Sequence, residues 1–135
     1  MRAVLDPNIL IAALLSPSRA PAQLVGRWLG GGFELVVSAA LLAELERALA
    51  YPKLRPRVQA EEAAELVGLL RHGAILAPDP PNPPRRSPDP GDDYLLALAE
   101  AERAVLVSGD QHLLPLAEQF PIQTARAFLD QLAGE

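Results

Sequence analysis

Acidic side chains lie at or just beyond the ends of several predicted strands. Asp6 ends the first predicted strand, and Asp110 lies shortly beyond the fourth. Ser38 and Glu44 follow the second strand, and the adjacent pair Asp92 and Asp93 opens the helix that precedes the fourth. In a parallel sheet, ligands bind beyond the carboxyl ends of the strands. Three elements are therefore predicted to bring acids towards one edge of a sheet.

Grouped carboxylates repel each other, and that repulsion limits what they can do. Two unit charges about 4 Å apart cost about 4 kcal/mol at an effective dielectric constant of about 20. Such a group must take up protons, move apart or hold a cation. Mg²⁺ and Mn²⁺ prefer oxygen ligands, and a metal held by carboxylates can activate water for attack on a phosphodiester. The acids therefore predict a divalent metal site with hydrolytic chemistry.

Strands and helices alternate along the chain. The pattern predicts strands at 2–6, 33–37, 74–76, 104–107 and 121–123, and helices at 8–15, 20–29, 39–50, 60–71, from 92, at 111–119 and at 124–132. Residues 77–91 hold seven of the fourteen prolines and are predicted to form an extended loop. Alternation of this kind predicts an α/β domain whose parallel sheet is covered by helices on both faces.

Length and composition restrict the class of protein. A chain of 135 residues is most simply one domain, residues 1–135. It has no cysteine, which excludes a disulfide framework, a thiolate zinc site and a thiol nucleophile. An early Asp argues against a secretory signal, and no apolar run approaches the length of a membrane span. We therefore expect a cytoplasmic protein without a membrane partner.

Helical periodicity does not decide which glutamate of helix 39–50 belongs to the site, but it does favour one of the two adjacent aspartates. At about 100° per residue, the leucines of helix 39–50 form a buried stripe, and Glu44 and Glu46 flank it on opposite sides. This spacing does not choose between the two glutamates. In the next acidic helix, Asp93 points further from the apolar face than Asp92 does, which favours Asp92 as the group in the site.

Three long segments together resemble the PIN-domain family, and most closely its branch of toxin components of toxin–antitoxin systems. They are VLDPNILIAALLSPSRAPAQLV, FELVVSAALLAELERALAYPKL and DPGDDYLLALAEAERAVLVSGDQHLL, followed by a closing short strand and helix. The resemblance implies a single three-layer α/β domain with a mostly parallel sheet of about five short strands flanked by helices. It also implies a ribonuclease that depends on Mg²⁺ or Mn²⁺, is often dimeric and is silenced by an antitoxin protein.

The resemblance assigns roles to individual positions. It implies that the catalytic metal ligands are Asp6, Glu44, Asp92 and Asp110, which leaves Glu46 as a solvated partner for nearby arginines. It implies supporting or substrate contacts from Asn8, Ser38, Asp93 and Ser108. The family usually has Thr between Asp6 and Asn8, whereas Pro7 stands here, so a hydroxyl that could hold water or phosphate is missing.

An acidic protein needs local basic groups to hold RNA, because its net charge of −5 does not favour a polyanion. Two basic clusters flank the predicted site and are candidate phosphate contacts: Lys53, Arg55 and Arg57 in one, and Arg85 and Arg86 in the other. Asp89, in the proline-rich loop, is predicted to lie outside the site. His112 is predicted to face solvent near a helix start rather than to bind metal.

The leading hypothesis is a metal-dependent endoribonuclease, the toxin of a toxin–antitoxin pair, in which an activated water cleaves RNA. Its expected partners are RNA, a cognate antitoxin and a second copy of the chain in a homodimer or higher homo-oligomer. The alternative is a catalytically weak or inactive PIN scaffold that binds RNA or a protein. Pro7 and the low basic charge favour the alternative.

Overall fold

The computed structural model describes residues 1–134 and shows one α/β domain. The strands are β1 (Arg2–Leu5), β2 (Glu34–Val37), β3 (Ile75–Leu76), β4 (Val105–Val107) and β5 (Ile122–Gln123). The helices are α1 (Pro7–Leu15), α2 (Ala20–Leu29), α3 (Ala39–Leu49), α4 (Ala60–Gly73), α5 (Asp93–Ala101) and α6 (Ala125–Ala133). The predicted α/β class, with a sheet of five short strands flanked by helices, is confirmed.

The strands form one sheet in the order β3-β2-β1-β4-β5, and every pair among them is parallel. The chain moves outwards from β1 in one direction through β2 and β3, and in the other through β4 and β5. Val4 pairs with Leu106, and Leu5 pairs with Val107. The reversal of strand order therefore lies between β1 and β4, and ligand sites of open α/β sheets lie at such a point.

The sheet is buried by helices on both sides of its apolar strands. Ala3, Val4 and Leu5 of β1 have no exposed surface, as expected for a central parallel strand. Near one end of the core, Phe33 and the α6 residue Phe128 meet edge to face, with ring centroids 5.2 Å apart. Asp6, directly after β1, and Ser108, directly after β4, therefore follow two neighbouring buried strands.

One predicted helix is wrong. Residues 111–113 form a turn, and a short 3-10 helix, Leu114–Glu118, stands where helix 111–119 was expected. Pro115 has no backbone N–H to donate, and Leu116 donates to the carbonyl of Leu113, three residues earlier. The remaining predicted elements are present with their ends moved by one or two residues, except that the loop 77–91 closes in a 3-10 turn, Pro90–Asp92.

No single helix within residues 1–134 has the length and apolar character needed to cross a membrane. Taken together, Pro7–Leu15 and Ala20–Leu29 have sufficient length and composition, but they are bent by 101° at the break between them.

Candidate acidic metal site

Asp6 lies in the middle of the sheet edge and is almost completely buried. Its backbone N–H donates to the Val107 carbonyl (3.0 Å), which extends the β1–β4 ladder by one bond. Its side chain caps α1 by accepting from the Asn8 N–H (2.9 Å) and also accepts from Ser108 Oγ (2.8 Å). Burial raises the pKa of the Asp6 carboxyl, while these two hydrogen bonds lower it and the charge of Asp110 raises it. Two donors therefore hold Asp6 in one orientation at the end of β1.

Ser108 joins Asp6 to Asp110. The fully buried Ser108 hydroxyl donates to Asp6 and accepts from the Asp110 N–H at 3.0 Å. The Asp110 carboxylate accepts from the His112 N–H at 2.7 Å, so it closes a turn rather than capping a regular helix. His112 Nδ1 lies 3.4 Å from Asp110 Oδ1. The segment after β4 is thus folded tightly around the Asp110 side chain.

The structure separates the two glutamates that periodicity left undecided. Glu44, on α3, is half-buried and accepts a short hydrogen bond from the hydroxyl of Tyr94 on α5. Glu46 is exposed and pairs with Arg71 of α4 at 2.6 Å. The α3 face that carries Glu44 therefore looks towards α5 and the other acids, whereas Glu46 lies among surface charges.

Asp92 is the least satisfied acid of the group. It is 9% exposed, and its Oδ2 has no hydrogen-bond partner within residues 1–134. Burial is the main cause that raises the pKa of Asp92 from 3.8 to about 7, and further contributions come from the charges of Asp110, Asp89, Asp6 and Glu44. A buried carboxylate surrounded by other carboxylates must bind a proton or a cation. The arrangement therefore fits a divalent cation, whose charge would offset this repulsion.

The tightest group of possible ligands differs from the predicted four. Among the described residues, the group of at least three ligands whose donor atoms lie within 4.8 Å of one another is Asp89, Asp92 and His112. Asp89, which was expected to lie outside the site, is thus close to Asp92 and His112. His112 is exposed as expected, but it is beside the acids rather than simply facing solvent. Asp6, Glu44 and Asp110 surround Asp92 in a wider arrangement.

A family model described as "PIN domain" matches residues 2–112. The chain belongs to the PIN-domain family. PAE2754 from Pyrobaculum aerophilum has a similar structure, with a TM-score of 0.72 and 21% identity over 100% of this chain and 91% of that one. VapBC2 from Rickettsia felis, solved bound to a DNA fragment from its promoter, gives a TM-score of 0.64 and 14% identity over 92% of this chain and 98% of that one. No curated protein sequence matches the chain.

In this PIN domain Asp93 fixes a loop instead of facing the other acids. Its Oδ1 accepts from the backbone N–H groups of Arg86 (3.0 Å) and Ser87 (2.7 Å), and the residue is 3% exposed. The helical wheel placed Asp93 away from the apolar core, but the returning proline-rich loop buries it. Asp93 thereby holds the segment that carries Asp89.

The structure separates the arginines that were candidate RNA contacts. The Arg86 guanidinium pairs with Glu100 at 3.1 Å and lies 5.0 Å from the centre of the Phe120 ring, with 16% of its side chain exposed. A phosphate would have to compete with these neighbours for the Arg86 guanidinium, so the phosphate contact of Arg86 stays a prediction. Arg85 is 76% exposed, with its Nε 4.0 Å from Asp93 Oδ2.

The other basic cluster lies on the surface after α3. Lys53 and Arg57 are exposed, and Arg55 is exposed with its Nε donating to the carbonyl of Ala50 at 3.2 Å. Arg55 also lines an apolar cavity of about 680 Å³ between α3 and α4. A second cavity, of about 380 Å³, lies between α5 and the β4–β5 edge. None of the acids that surround Asp92 lines either cavity.

Two contributions to the site region were missed in the sequence. Asp79 reaches from the proline-rich loop to the start of α3, where its Oδ2 accepts from the Ala40 N–H at 2.9 Å. It supplements Ser38, a fully buried residue whose hydroxyl caps α3 by accepting from the Leu41 N–H at 3.2 Å. Tyr94 was not expected to bind Glu44. The sequence does contain a signal for the Tyr94 contact, because the tyrosine hydroxyl lies on the half-buried side of a helix that begins with acids. It contains no local signal for the Asp79 contact, which depends on the return of the proline-rich loop to α3.

Proposed function

We propose that this PIN domain is a metal-dependent endoribonuclease and acts as the toxin of a toxin–antitoxin pair in the cytoplasm. The observation that carries the proposal is Asp92, a buried carboxylate with an unpartnered oxygen among the charges of Asp110, Asp89, Asp6 and Glu44. Such a group is costly in a folded protein unless it serves a ligand. Family membership supports nuclease chemistry.

The proposed ligands of Mg²⁺ or Mn²⁺ are Asp6, Glu44, Asp92 and Asp110. When bound, a divalent cation lowers the pKa of a coordinated water and stabilises the charge that develops on the phosphoryl group. Ser108 orients Asp6 and joins it to Asp110, and Tyr94 orients Glu44. Asn8 holds Asp6 through its backbone N–H, so its exposed side chain remains available to contact substrate.

Two further roles belong to the proposal. Exposed Arg85, with Lys53, Arg55 and Arg57, supplies phosphate contacts for RNA around a site that is itself strongly acidic. An antitoxin protein silences the enzyme, which is supported by the sequence resemblance to toxin components and by the fold shared with the VapBC2 structure. A homodimer or higher homo-oligomer is the proposed assembly.

The test is cleavage of single-stranded RNA in Mg²⁺ or Mn²⁺ by matched variants. We expect Asp6→Asn and Glu44→Gln to lower kcat by about 10²-fold or more, because each removes a charge that acts on the reacting centre. Glu46→Gln, on the same helix but paired with Arg71 at the surface, should cleave like the wild type. EDTA should abolish the activity. Equal cleavage by Glu44→Gln and Glu46→Gln, or cleavage resistant to EDTA, would refute the proposal.

One observation favours a scaffold that binds without cutting. Pro7 is buried at the first position of α1, directly after Asp6, where it offers neither a hydroxyl nor an N–H. Calorimetric titration with Mn²⁺ separates the two functions, because the nuclease requires the ion and a binding scaffold does not. Strong Mn²⁺ binding together with cleavage supports the nuclease, whereas RNA binding with neither supports the scaffold.

A further inference from the structure

The side chains of Asp89, Asp92 and His112 come together from two different segments. Asp89 and Asp92 bracket the 3-10 turn before α5, and His112 lies in the turn after β4. One ligand atom from each residue lies within 4.8 Å of the other two. Two carboxylates and one imidazole at that spacing match the donor types and number that a small divalent cation binds in proteins.

An unpartnered buried atom distinguishes the cluster from a group of acids that lies wholly on the surface. Asp92 is 9% exposed, and its Oδ2 has no hydrogen-bond partner among residues 1–134. Buried polar atoms in folded proteins are nearly always paired with protein, water or an ion. A cation between Asp92 and its neighbours supplies the missing partner.

The local contacts leave suitable donor atoms free on the other two residues. Asp89 Oδ1 accepts from the Gly91 N–H at 2.9 Å, which leaves Oδ2 available. A Cβ at position 91 would come within 3.2 Å of that Oδ1, so glycine permits the carboxylate to lie here. His112 Nδ1 is 3.4 Å from Asp110 Oδ1. A neutral imidazole that directs its Nδ1–H towards this carboxylate keeps the Nε2 lone pair for a metal, as histidine ligands commonly do.

We propose that Asp89, Asp92 and His112 form a cation subsite that selects Mn²⁺, or another divalent first-row transition metal, over Mg²⁺. Imidazole binds such metals well, whereas Mg²⁺ favours oxygen ligands and gains little from a nitrogen donor. The inference rests on the proposed function for its role in catalysis, because Asp92 belongs to both groups. It adds a metal-selecting residue, His112, to a site otherwise made of carboxylates.

Electron spin echo spectroscopy of Mn²⁺ bound to the untagged protein tests the nitrogen ligand directly. The wild type at saturating Mn²⁺ should show ¹⁴N modulation from a coordinated imidazole. The chain has two histidines, which provides a matched pair of variants. His112→Gln should lose the modulation, whereas His72→Gln, an exposed position in the last turn of α4, should keep it. Absence of the modulation in the wild type, or its persistence in His112→Gln, overturns the proposal.

Metal affinity provides a second readout that does not depend on catalysis. We expect His112→Gln and Asp89→Asn to raise the Kd for Mn²⁺ by about tenfold or more. Only Asp89→Asn should also weaken Mg²⁺ binding, because His112 contributes little to that ion. Equal losses of Mn²⁺ and Mg²⁺ affinity in His112→Gln would contradict the selectivity. Circular dichroism shows whether each variant is folded.

The outcome is separable from that of the proposed nuclease. Asp6→Asn should lower the kcat of RNA cleavage by about 10²-fold or more yet keep the ¹⁴N modulation, because Asp6 is not part of the subsite. A wild type that shows the modulation but cleaves no RNA retains the subsite and loses the nuclease. Cleavage without the modulation retains the nuclease and removes the subsite.

Discussion

The hydroxyl of Tyr94 determines how Glu44 faces the other acids. Burial, together with the hydrogen bond to Glu44 and that residue's charge, raises the pKa of Tyr94 above its usual value of 10, so the hydroxyl remains a donor throughout the working pH range. A half-buried glutamate has several side-chain rotamers, and this bond selects one of them. Tyr94 therefore acts as a positioning residue for a proposed metal ligand.

Replacement of this hydroxyl gives a prediction at the residue scale. Tyr94→Phe keeps the ring but removes the donor, and we expect the Kd for Mn²⁺ measured by calorimetry to rise by about tenfold, as when other supporting hydrogen bonds of metal ligands are lost. The control is Tyr51→Phe, because Tyr51 is the other tyrosine of the chain and is 59% exposed. Equal Mn²⁺ affinities in the two variants would show that Tyr94 does not position Glu44.

At the scale of elements, the proline-rich loop is held mainly through its backbone. Arg86 and Ser87 donate their N–H groups to the buried Asp93 carboxylate at the start of α5, whereas the Arg86 guanidinium makes a pair with the 61%-exposed Glu100. Hydrogen bonds to a charged group are worth about 1.5–3 kcal/mol, and exposed ion pairs are worth about 0–1 kcal/mol. Asp93 should therefore contribute more than Glu100 to the position of the loop.

We predict that Asp93→Ala lowers the free energy of unfolding by about 2–3 kcal/mol, because it leaves two loop N–H groups without an acceptor. Hydrogen exchange at Arg86 and Ser87 should accelerate in that variant. Glu100→Gln, which disrupts only the side-chain pair of Arg86, should cost less than about 1 kcal/mol and leave those amides protected. The reverse order of the two effects would mean that the guanidinium, rather than Asp93, anchors the loop.

The same loop shows where prediction from the sequence ends. The strands, α1 to α4 and the acids after β1 and β4 could be predicted, because apolar runs, caps and breakers are local signals. The proximity of Asp89 to His112 could not, because it depends on how Asp93 captures a loop and on how the segment after β4 turns. The prediction of helix 111–119 was wrong for a related reason. The apolar spacing of this segment suggested a regular helix, but Pro115 and Asp110 favour turns there.

At the scale of the whole molecule, the acidic site makes stability depend on pH. The folded protein holds the Asp92 proton up to a pKa of about 7, whereas the unfolded chain releases it near 3.8. Between these values the folded state binds more protons, so the stability of the metal-free fold falls as pH rises from about 4 to about 7. Above about pH 7 Asp92 is charged in both the folded and the unfolded state, so its contribution to the free energy of unfolding no longer changes with pH.

Asp92→Asn should therefore make the metal-free protein more stable at pH 8 and leave its stability unchanged near pH 4. The raised pKa corresponds to about 1–2 kcal/mol once solvent screening is considered, or a few degrees in Tm.

Mn²⁺ at about 100 times its Kd should stabilise the wild type at pH 8 by about 2.7 kcal/mol, and this gain should shrink in the variant. Asp130→Asn is a suitable control, because that carboxylate is 67% exposed and pairs only with Arg126 among the described residues. Thermal unfolding of the wild type and the variants at pH 4 and pH 8, with and without Mn²⁺, measures these changes in stability. If Asp92→Asn is no more stable than Asp130→Asn at pH 8, burial and the neighbouring charges do not destabilise the Asp92 carboxylate enough for it to need a cation.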